Sequence, residues 1–185
     1  LPLGSDHWAF GTYLPPKWFD HSNEVSREVE VEIAFTPDPA IAGRTNTTYT
    51  RRKIVIKRPP VLLVHGVWSD EDTWAEAYQF PTPTNGWVVR RADYSDTNAA
   101  SFSNAETMTK LKEGISKVVE ELRGEGTAVT KVDIVAHSMG GHIARKWISH
   151  AQYKRPDNFN RGDIRAVISL TSPHWGTQIA NLLIN

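Results

Sequence analysis

Short apolar runs that alternate with an amphipathic helix constrain this 185-residue chain more than any other feature of its sequence. The runs at Val61–Val64, 132–136 and 166–170 are typical of strands that are buried on both faces of a parallel sheet. Residues 104–123 carry apolar side chains at spacings of three and four, which predicts a helix with one apolar stripe. The alternation predicts an α/β fold with a mostly parallel, doubly wound sheet.

Local signals add detail to this pattern. Asn104 is the predicted N-cap of the helix, and Gly124 is predicted to lie just beyond its end. A short strand is expected over 87–90 and a further helix over 177–184.

The N-terminal part of the chain has a different pattern. Residues 1–24 hold aromatic side chains among Gly, Pro, Asp and His with no helical or strand period, which predicts an irregular arm. Within residues 25–58, the first stretch alternates apolar and polar side chains, and the second, at 47–57, is rich in β-branched residues with a basic outer face; together they predict an antiparallel strand pair. We therefore expect an arm over 1–24 and a core over 25–185, in which the strand pair at 25–58 begins the same sheet; a small appendage is the alternative for this pair.

Composition excludes several classes of protein. Lys plus Arg (21) equals Asp plus Glu (21), so net charge does not favour nucleic acid as a partner. The chain has no cysteine, which excludes disulfides and thiolate chemistry, and it has no apolar run long enough to span a bilayer. No histidines and carboxylates share a metal-ligand spacing, so we expect no metal and no cofactor.

The segment from Ala136 to Gly141 concentrates the chemistry. Ser138 follows the apolar run at 132–136 and opens a helical pattern, with a small residue two positions before it, Ala136, and another two positions after it, Gly140. This A-x-S-x-G arrangement is a form of the nucleophile elbow, a turn so tight that the serine takes a strained backbone conformation. The alternative interpretation is a Ser-Met-Gly-Gly turn that only caps a helix.

Two further segments stand in order around this turn. His65 and Gly66 end the first apolar run, and residues 171–177, TSPHWGT, follow the run at 166–170. With A-H-S-M-G, these segments resemble the bacterial lipase and esterase branch of the α/β-hydrolase superfamily over residues 61–177. The resemblance implies an α/β-hydrolase fold with antiparallel N-terminal strands, and a chain that is an N-terminal portion without the C-terminal strands.

The resemblance also implies a role for each matching residue. Ser138 would be the nucleophile, and the backbone N–H groups of Met139 and Val67 would hold the oxyanion. Gly66 would let the backbone turn toward the site, and His174 would be a structural loop residue. The supporting residues of the site would be His65, Gly66, Ala136, His137 and Gly140.

The function implied is hydrolysis of carboxylic esters, with a lipid among the possible substrates, through an acyl-enzyme on Ser138. Two alternatives stay open: an acyltransferase or amidase that uses the same turn, and a non-catalytic, hydrolase-like binding domain. Asp157 and Asp163 are the only acids after Ser138, and both fall on the wrong side of the predicted sheet. We therefore expect the triad Asp and His to come from a C-terminal segment or a second chain. Location at the cell surface or outside the cell fits this class, and a cytoplasmic location stays open.

Overall fold

A computed structural model gives the structure of the chain and describes residues 2–3, 6–7, 13–14, 24–38, 46–74, 86–99 and 101–178. The chain divides into two compact units, Leu1–Lys57 and Arg58–Asn185. Within the described ranges, no helix has the length and apolar character that crossing a membrane requires.

The first unit contains two antiparallel strand pairs. Strands β1 (Pro2–Leu3) and β2 (Asp6–His7) form a two-residue pair. Strands β3 (Ser26–Phe35) and β4 (Thr48–Lys57) pair over ten residues each. In β3, apolar and charged residues alternate because successive side chains point to opposite faces, and β4 is rich in the β-branched residues Thr, Ile and Val, which favour strands.

Opposite charges meet across one face of the hairpin. Arg51 lies 2.9 Å from Glu32, and Lys53 lies 2.7 Å from Glu28, each measured between nitrogen and carboxylate oxygen. All four side chains are largely exposed, so each pair contributes less than about 1 kcal/mol to stability. Their main effect is on register, because a slip by one residue would move the charged side chains to the opposite face.

The second unit is built on a four-stranded parallel sheet. Its strands are β5 (Val61–Val64), β6 (Val89–Ala92), β7 (Val132–His137) and β8 (Ile164–Leu170), in the order β6-β5-β7-β8. Helix α1 (Ala105–Gly124) connects β6 to β7, and helix α2 (Met139–Ile148) follows β7. A short 3-10 helix (Pro156–Asn158) precedes β8.

Helices α1 and α2 pack on one face of this sheet. Helix α1 begins after Asn104, whose side chain accepts hydrogen bonds from the N–H groups of Glu106 and Thr107. The buried core of this face takes side chains from both helices and from the strands: Leu62, Val64, Leu111, Ile115, Ile134, Ile143 and Trp147. The opposite face carries a smaller cluster around Leu63, Trp74 and Val135.

The strand order creates a crevice at one edge of the sheet. From β5 the chain moves to β6 on one side, and then crosses back to β7 on the other side of β5. Connections that leave in opposite directions open a crevice at the carboxyl ends of the two strands, where ligands bind in open α/β sheets. In the register of β5 and β7, Val64 is the partner of Ala136. The residues that follow them, His65-Gly66 and His137-Ser138, therefore flank this crevice.

Most predicted elements of the second unit are present, with small shifts. The strand predicted at 87–90 lies at Val89–Ala92, and the helix predicted from Asn104 begins at Ala105. Gly124, expected just beyond α1, is instead its last residue, and Gly126 takes the positive φ of 81°. The second helical layer of a doubly wound sheet is not shown by the described residues.

The expectation that the strand pair at 25–58 begins the parallel sheet is wrong. Within the described residues, β3 and β4 pair only with each other. Pro59 and Pro60 separate β4 from β5, and proline supplies no N–H to a strand ladder. Of the arm predicted over 1–24, most lies outside the described residues, and β1 and β2 are strands that its sequence does not predict. The last helix predicted, at 177–184, lies outside the described residues after Gln178.

A buried ion pair holds the connection between α2 and β8 at the amino end of the sheet. Asp163 is only 3% exposed, and its carboxylate accepts hydrogen bonds from the Trp147 indole (3.1 Å) and the Arg155 guanidinium (3.0 Å). Arg155 also contacts the exposed carboxylate of Asp157. Because the same guanidinium meets one buried and one exposed carboxylate, the two acids offer a matched comparison.

We expect Asp163→Ala to lower the free energy of unfolding by about 3 kcal/mol, because a buried donor and a half-buried cation lose their partner. Asp157→Ala, which removes the exposed partner of the same guanidinium, should cost less than about 1 kcal/mol. Urea unfolding of the two variants measures both values. Equal losses of unfolding free energy would show that the burial of the carboxylate does not determine how much it stabilises the protein.

Candidate active site

Ser138 occupies a strained turn between β7 and α2. Its φ and ψ are 52° and −122°, a region that residues with a side chain seldom adopt. Two backbone hydrogen bonds fix the turn: the Ser138 N–H donates to the Leu170 carbonyl (2.9 Å), and the Gly141 N–H donates to the Ser138 carbonyl (3.2 Å). The strained conformation that the sequence predicts at this position is therefore present. The serine stands half-buried at the N-terminus of α2, where the helix dipole favours negative charge.

The neighbours of Ser138 in sequence are small because strand β5 lies against them. A Cβ added at Gly140 would lie 2.5 Å from the carbonyl oxygens of both Val64 and His65. Ala136 is fully buried in β7. The sequence therefore meets the steric demand of the turn at both positions, as the A-x-S-x-G spacing predicts.

The second glycine of the pair, Gly141, has a neighbour that the sequence does not reveal. A Cβ there would lie 2.8 Å from the Ser172 Cβ, so the loop after β8 lies directly on the first turn of α2. The Ser172 hydroxyl oxygen is buried and has no hydrogen-bond partner among the described residues. In the sequence, only the second glycine after Met139 indicates that another segment lies close to this turn of α2.

The loop after β5 reaches the serine turn. A Cβ added at Gly66 would lie 3.0 Å from the Ser138 Cβ and 3.3 Å from the His137 Nδ1 atom. Gly66 does not take a positive φ; the residue in this loop that does is Trp68, with a φ of 53°. A glycine at this position lets the loop lie close to Ser138, because a Cβ atom there would meet the serine. The His137 ring lies beside Gly66 as well.

His65 is fully buried behind the turn and supports the loop. Its ring stacks on Tyr94 with centroids 3.9 Å apart, and the Tyr94 hydroxyl donates to the His65 carbonyl. Its Nδ1 lies 3.0 Å from the Gly66 carbonyl oxygen, so Nδ1 carries the proton. Burial lowers the pKa of His65, and the hydrogen bond to Gly66 opposes this shift. The imidazole is thus a neutral structural group at neutral pH.

Two backbone N–H groups near Ser138 have no acceptor among the described residues. Neither the Val67 N–H nor the Met139 N–H donates a backbone hydrogen bond within the part of the chain that the structure describes. Both residues are half-buried, and each follows directly on one of the two groups in contact, Gly66 and Ser138. Such donors are what a developing oxyanion requires.

Among the described residues, no histidine or carboxylate is hydrogen-bonded to the Ser138 hydroxyl. Asp163 is buried against Trp147 and Arg155 before β8, and Asp157 lies in the 3-10 helix. His150 lies beyond the far end of α2, stacked on Trp147. The structure thus brings together the turn and the loop that the sequence predicts, without the proton acceptor.

We expect Gly140→Ala to lower the free energy of unfolding by about 2 kcal/mol, because the new methyl group meets two backbone carbonyls that cannot move independently of β5. Gly124→Ala is the matched control. No atom lies within 4 Å of a Cβ there, and alanine in a helix should raise stability by about 0.5 kcal/mol or more. Urea titrations of both variants distinguish the sites, and equal effects would contradict the close approach at Gly140.

The described residues thus define a mixed α/β domain with a strained serine turn at the carboxyl edge of a parallel sheet. The chain belongs to the family described as Domain of unknown function (DUF7379), whose model matches residues 28–182. A sequence comparison with curated proteins found no match.

Among solved structures, the chain is similar to the propeptide form of the Bacillus licheniformis lipase BlEst2, with a TM-score of 0.44 and 20% sequence identity. The similarity covers 84% of this chain and 28% of the lipase chain. This chain therefore spans less than a third of the length of that lipase.

Proposed function

We propose that this chain carries the nucleophile of a serine hydrolase of the α/β-hydrolase type, which cleaves carboxylic esters through an acyl-enzyme on Ser138. The observation that carries the proposal is the strained backbone of Ser138 at the start of α2, in contact with the Gly66 loop. A non-glycine residue at such φ and ψ costs about 1–3 kcal/mol, and strain of this kind concentrates at functional sites.

The chemistry follows from the groups around the serine. The Ser138 oxygen attacks the ester carbonyl carbon, and its proton passes to a base as the C–O bond forms. The N–H groups of Val67 and Met139 stabilise the negative carbonyl oxygen. Collapse of the intermediate breaks the bond to the alcohol, which leaves with the proton from the base, and water then releases the acid and restores the hydroxyl.

The proposal needs a base outside the residues that the structure describes. Of the histidines that follow Ser138 in the described residues, none hydrogen-bonds to its hydroxyl. The proposal therefore includes a histidine and a carboxylate supplied by other residues of the full-length protein or by a second chain. Esters are favoured over amides because the resemblance of the motifs is to lipases and esterases, and exposed aromatic residues flank the site, Trp68 and Trp175.

Labelling of the natural full-length protein with a fluorophosphonate tests this proposal, because only an activated serine reacts quickly. We expect the label on the peptide that contains Ser138, and none on the Ser138→Ala protein. Ser149→Ala, which removes an exposed serine just beyond the end of the same helix, is the matched control and should label at the wild-type rate. Absence of labelling in the folded full-length protein would favour a non-catalytic binding domain.

A further inference from the structure

A group of basic side chains lies on α2, the helix that begins directly after Ser138. His142 and Arg145 lie four and seven residues after the serine, and their spacing of three places both on one face of α2. The loop after β8 brings His174 to this face. Its ring lies 5.3 Å from the ring of His142, between centroids, and its Nδ1 lies 3.0 Å from a guanidinium nitrogen of Arg145.

The contact between Arg145 and His174 fixes the proton of the imidazole. Arginine only donates hydrogen bonds, so the Nδ1 atom of His174 must be the acceptor. The neutral ring then carries its proton on Nε2. Since His174 and Arg145 are both exposed, the pair offers solvent hydrogen-bond donors: the Nε2–H group of the imidazole and the remaining N–H groups of the guanidinium.

No carboxylate among the described residues neutralises this edge. Arg145 forms no ion pair with a described carboxylate, and its described side-chain partner is His174. The ring of His142 lies between those of Phe102 and His174, and its pKa reports the charges around it. Burial, His174 and Arg145 lower the pKa of His142, and a hydrogen bond to the Pro173 carbonyl opposes them. Both described side chains that lower the pKa of His142 are therefore basic residues.

We propose that Arg145 and His174 form a subsite for an anionic group, a carboxylate or a phosphate, on the substrate whose ester bond Ser138 attacks. The inference rests on the proposed function of Ser138 and adds a substrate class to it: esters with a negative charge remote from the reacting carbonyl. An unpaired guanidinium beside a neutral imidazole N–H is a donor set that suits oxyanions, which accept charge-assisted hydrogen bonds from both groups.

The helix sets the length of the substrate that this subsite accepts. Seven residues of an α-helix rise about 10 Å, which gives the approximate distance between the serine and an anion bound at Arg145. An extended eight-carbon chain spans a similar distance. The p-nitrophenyl monoester of suberic acid has such a chain with a terminal carboxylate. The p-nitrophenyl ester of octanoic acid is its neutral counterpart, and the monoester of succinic acid is too short to reach.

Direct binding tests the subsite without catalysis. Inorganic phosphate and acetate are titrated separately into the full-length Ser138→Ala protein at pH 7.5, and the imidazole proton resonances of His142 and His174 are followed by NMR. We expect saturable shifts, and Arg145→Gln should weaken the binding about tenfold or more, since a charge-assisted hydrogen bond is lost. Lys154→Gln removes the same charge from an exposed lysine in the loop after α2 and should leave binding unchanged.

Activity supplies the second readout. In the wild-type full-length protein, we expect a higher kcat/KM for the suberic ester than for octanoate or the succinic ester, and Arg145→Gln should lower it about tenfold for the suberic ester alone. Arg145→Lys, which keeps the charge, should retain part of the preference. Binding by phosphate without acetate would identify a phosphate group as the natural anion, and the reverse result a carboxylate.

The two proposals fail in different ways. If neither anion shifts the two histidines, or if Arg145→Gln and Lys154→Gln act alike, the subsite is wrong even when octanoate is hydrolysed. If no ester is turned over and Ser138 is not labelled, the serine hydrolase proposal is wrong. A saturable, Arg145-dependent phosphate titration in that same protein would still support an anion site at this face of α2.

Discussion

Ser138→Ala should lower kcat for hydrolysis of an activated ester by the natural full-length protein at least about a thousandfold. The substitution removes the attacking oxygen and leaves the oxyanion donors and the substrate contacts, which alone account for any remaining rate. Turnover of p-nitrophenyl octanoate measures the loss. A folded variant that retains more than about a thousandth of the wild-type rate would show that Ser138 is not the nucleophile.

Stability measurements separate the chemical role of Ser138 from its backbone conformation. Alanine keeps the Cβ atom that strains the turn at a φ of 52°, so Ser138→Ala should change the free energy of unfolding little. Ser138→Gly removes this atom, and the relief of strain should exceed the entropic cost of glycine by about 1 kcal/mol. We therefore expect the glycine variant to be inactive and more stable than the wild type. A glycine variant less stable than the alanine variant would contradict strain at this turn.

The parts of the fold that the sequence predicts are those that local patterns control. The apolar run at Val61–Val64 is a buried strand at those bounds, and the cap of α1 is the predicted Asn104. The strained turn at Ser138 was predictable for the same reason, because only small residues fit two positions to either side. In each case a few neighbouring residues carry all the information that the structure requires.

Features that depend on distant contacts were beyond sequence reasoning. The hairpin of β3 and β4 has the expected alternation, but which sheet a strand joins depends on pairing partners that periodicity does not name. The contact of Gly66 with the serine turn has no local sign in the sequence, because it follows from the register of β5 with β7. His174 was expected to be a structural loop residue, and its contact with Arg145 across 29 positions had no local sign.

The roles assigned to Met139 and Val67 stay predictions that mutagenesis has to test. Val67 follows β5 and Met139 follows β7, and these two strands are neighbours in the sheet. An oxyanion that accepts hydrogen bonds from both N–H groups would therefore lie in the crevice at the carboxyl ends of the two strands. Met139 lies within the elbow, where a substitution that removes its N–H would disturb the start of α2. Val67 lies in a loop outside any helix or strand, so its N–H can be removed with less disturbance.

Val67→Pro should lower kcat for ester hydrolysis about a hundredfold or more, because the loss of one oxyanion donor costs roughly 3–4 kcal/mol of transition-state stabilisation in comparable sites. Proline lacks the N–H and also restricts the residue before it, which here is Gly66, so circular dichroism must first show an intact fold. Val67→Ala shortens the side chain and keeps the N–H, and its kcat should stay within a few-fold of wild type. A lost donor should lower kcat with little change in KM, since the bond to the oxyanion forms only in the transition state. If Val67→Pro and Val67→Ala lower kcat equally, the side chain of Val67 acts in the site and its N–H group does not. An unchanged kcat in folded Val67→Pro would show that Val67 is not part of the oxyanion hole.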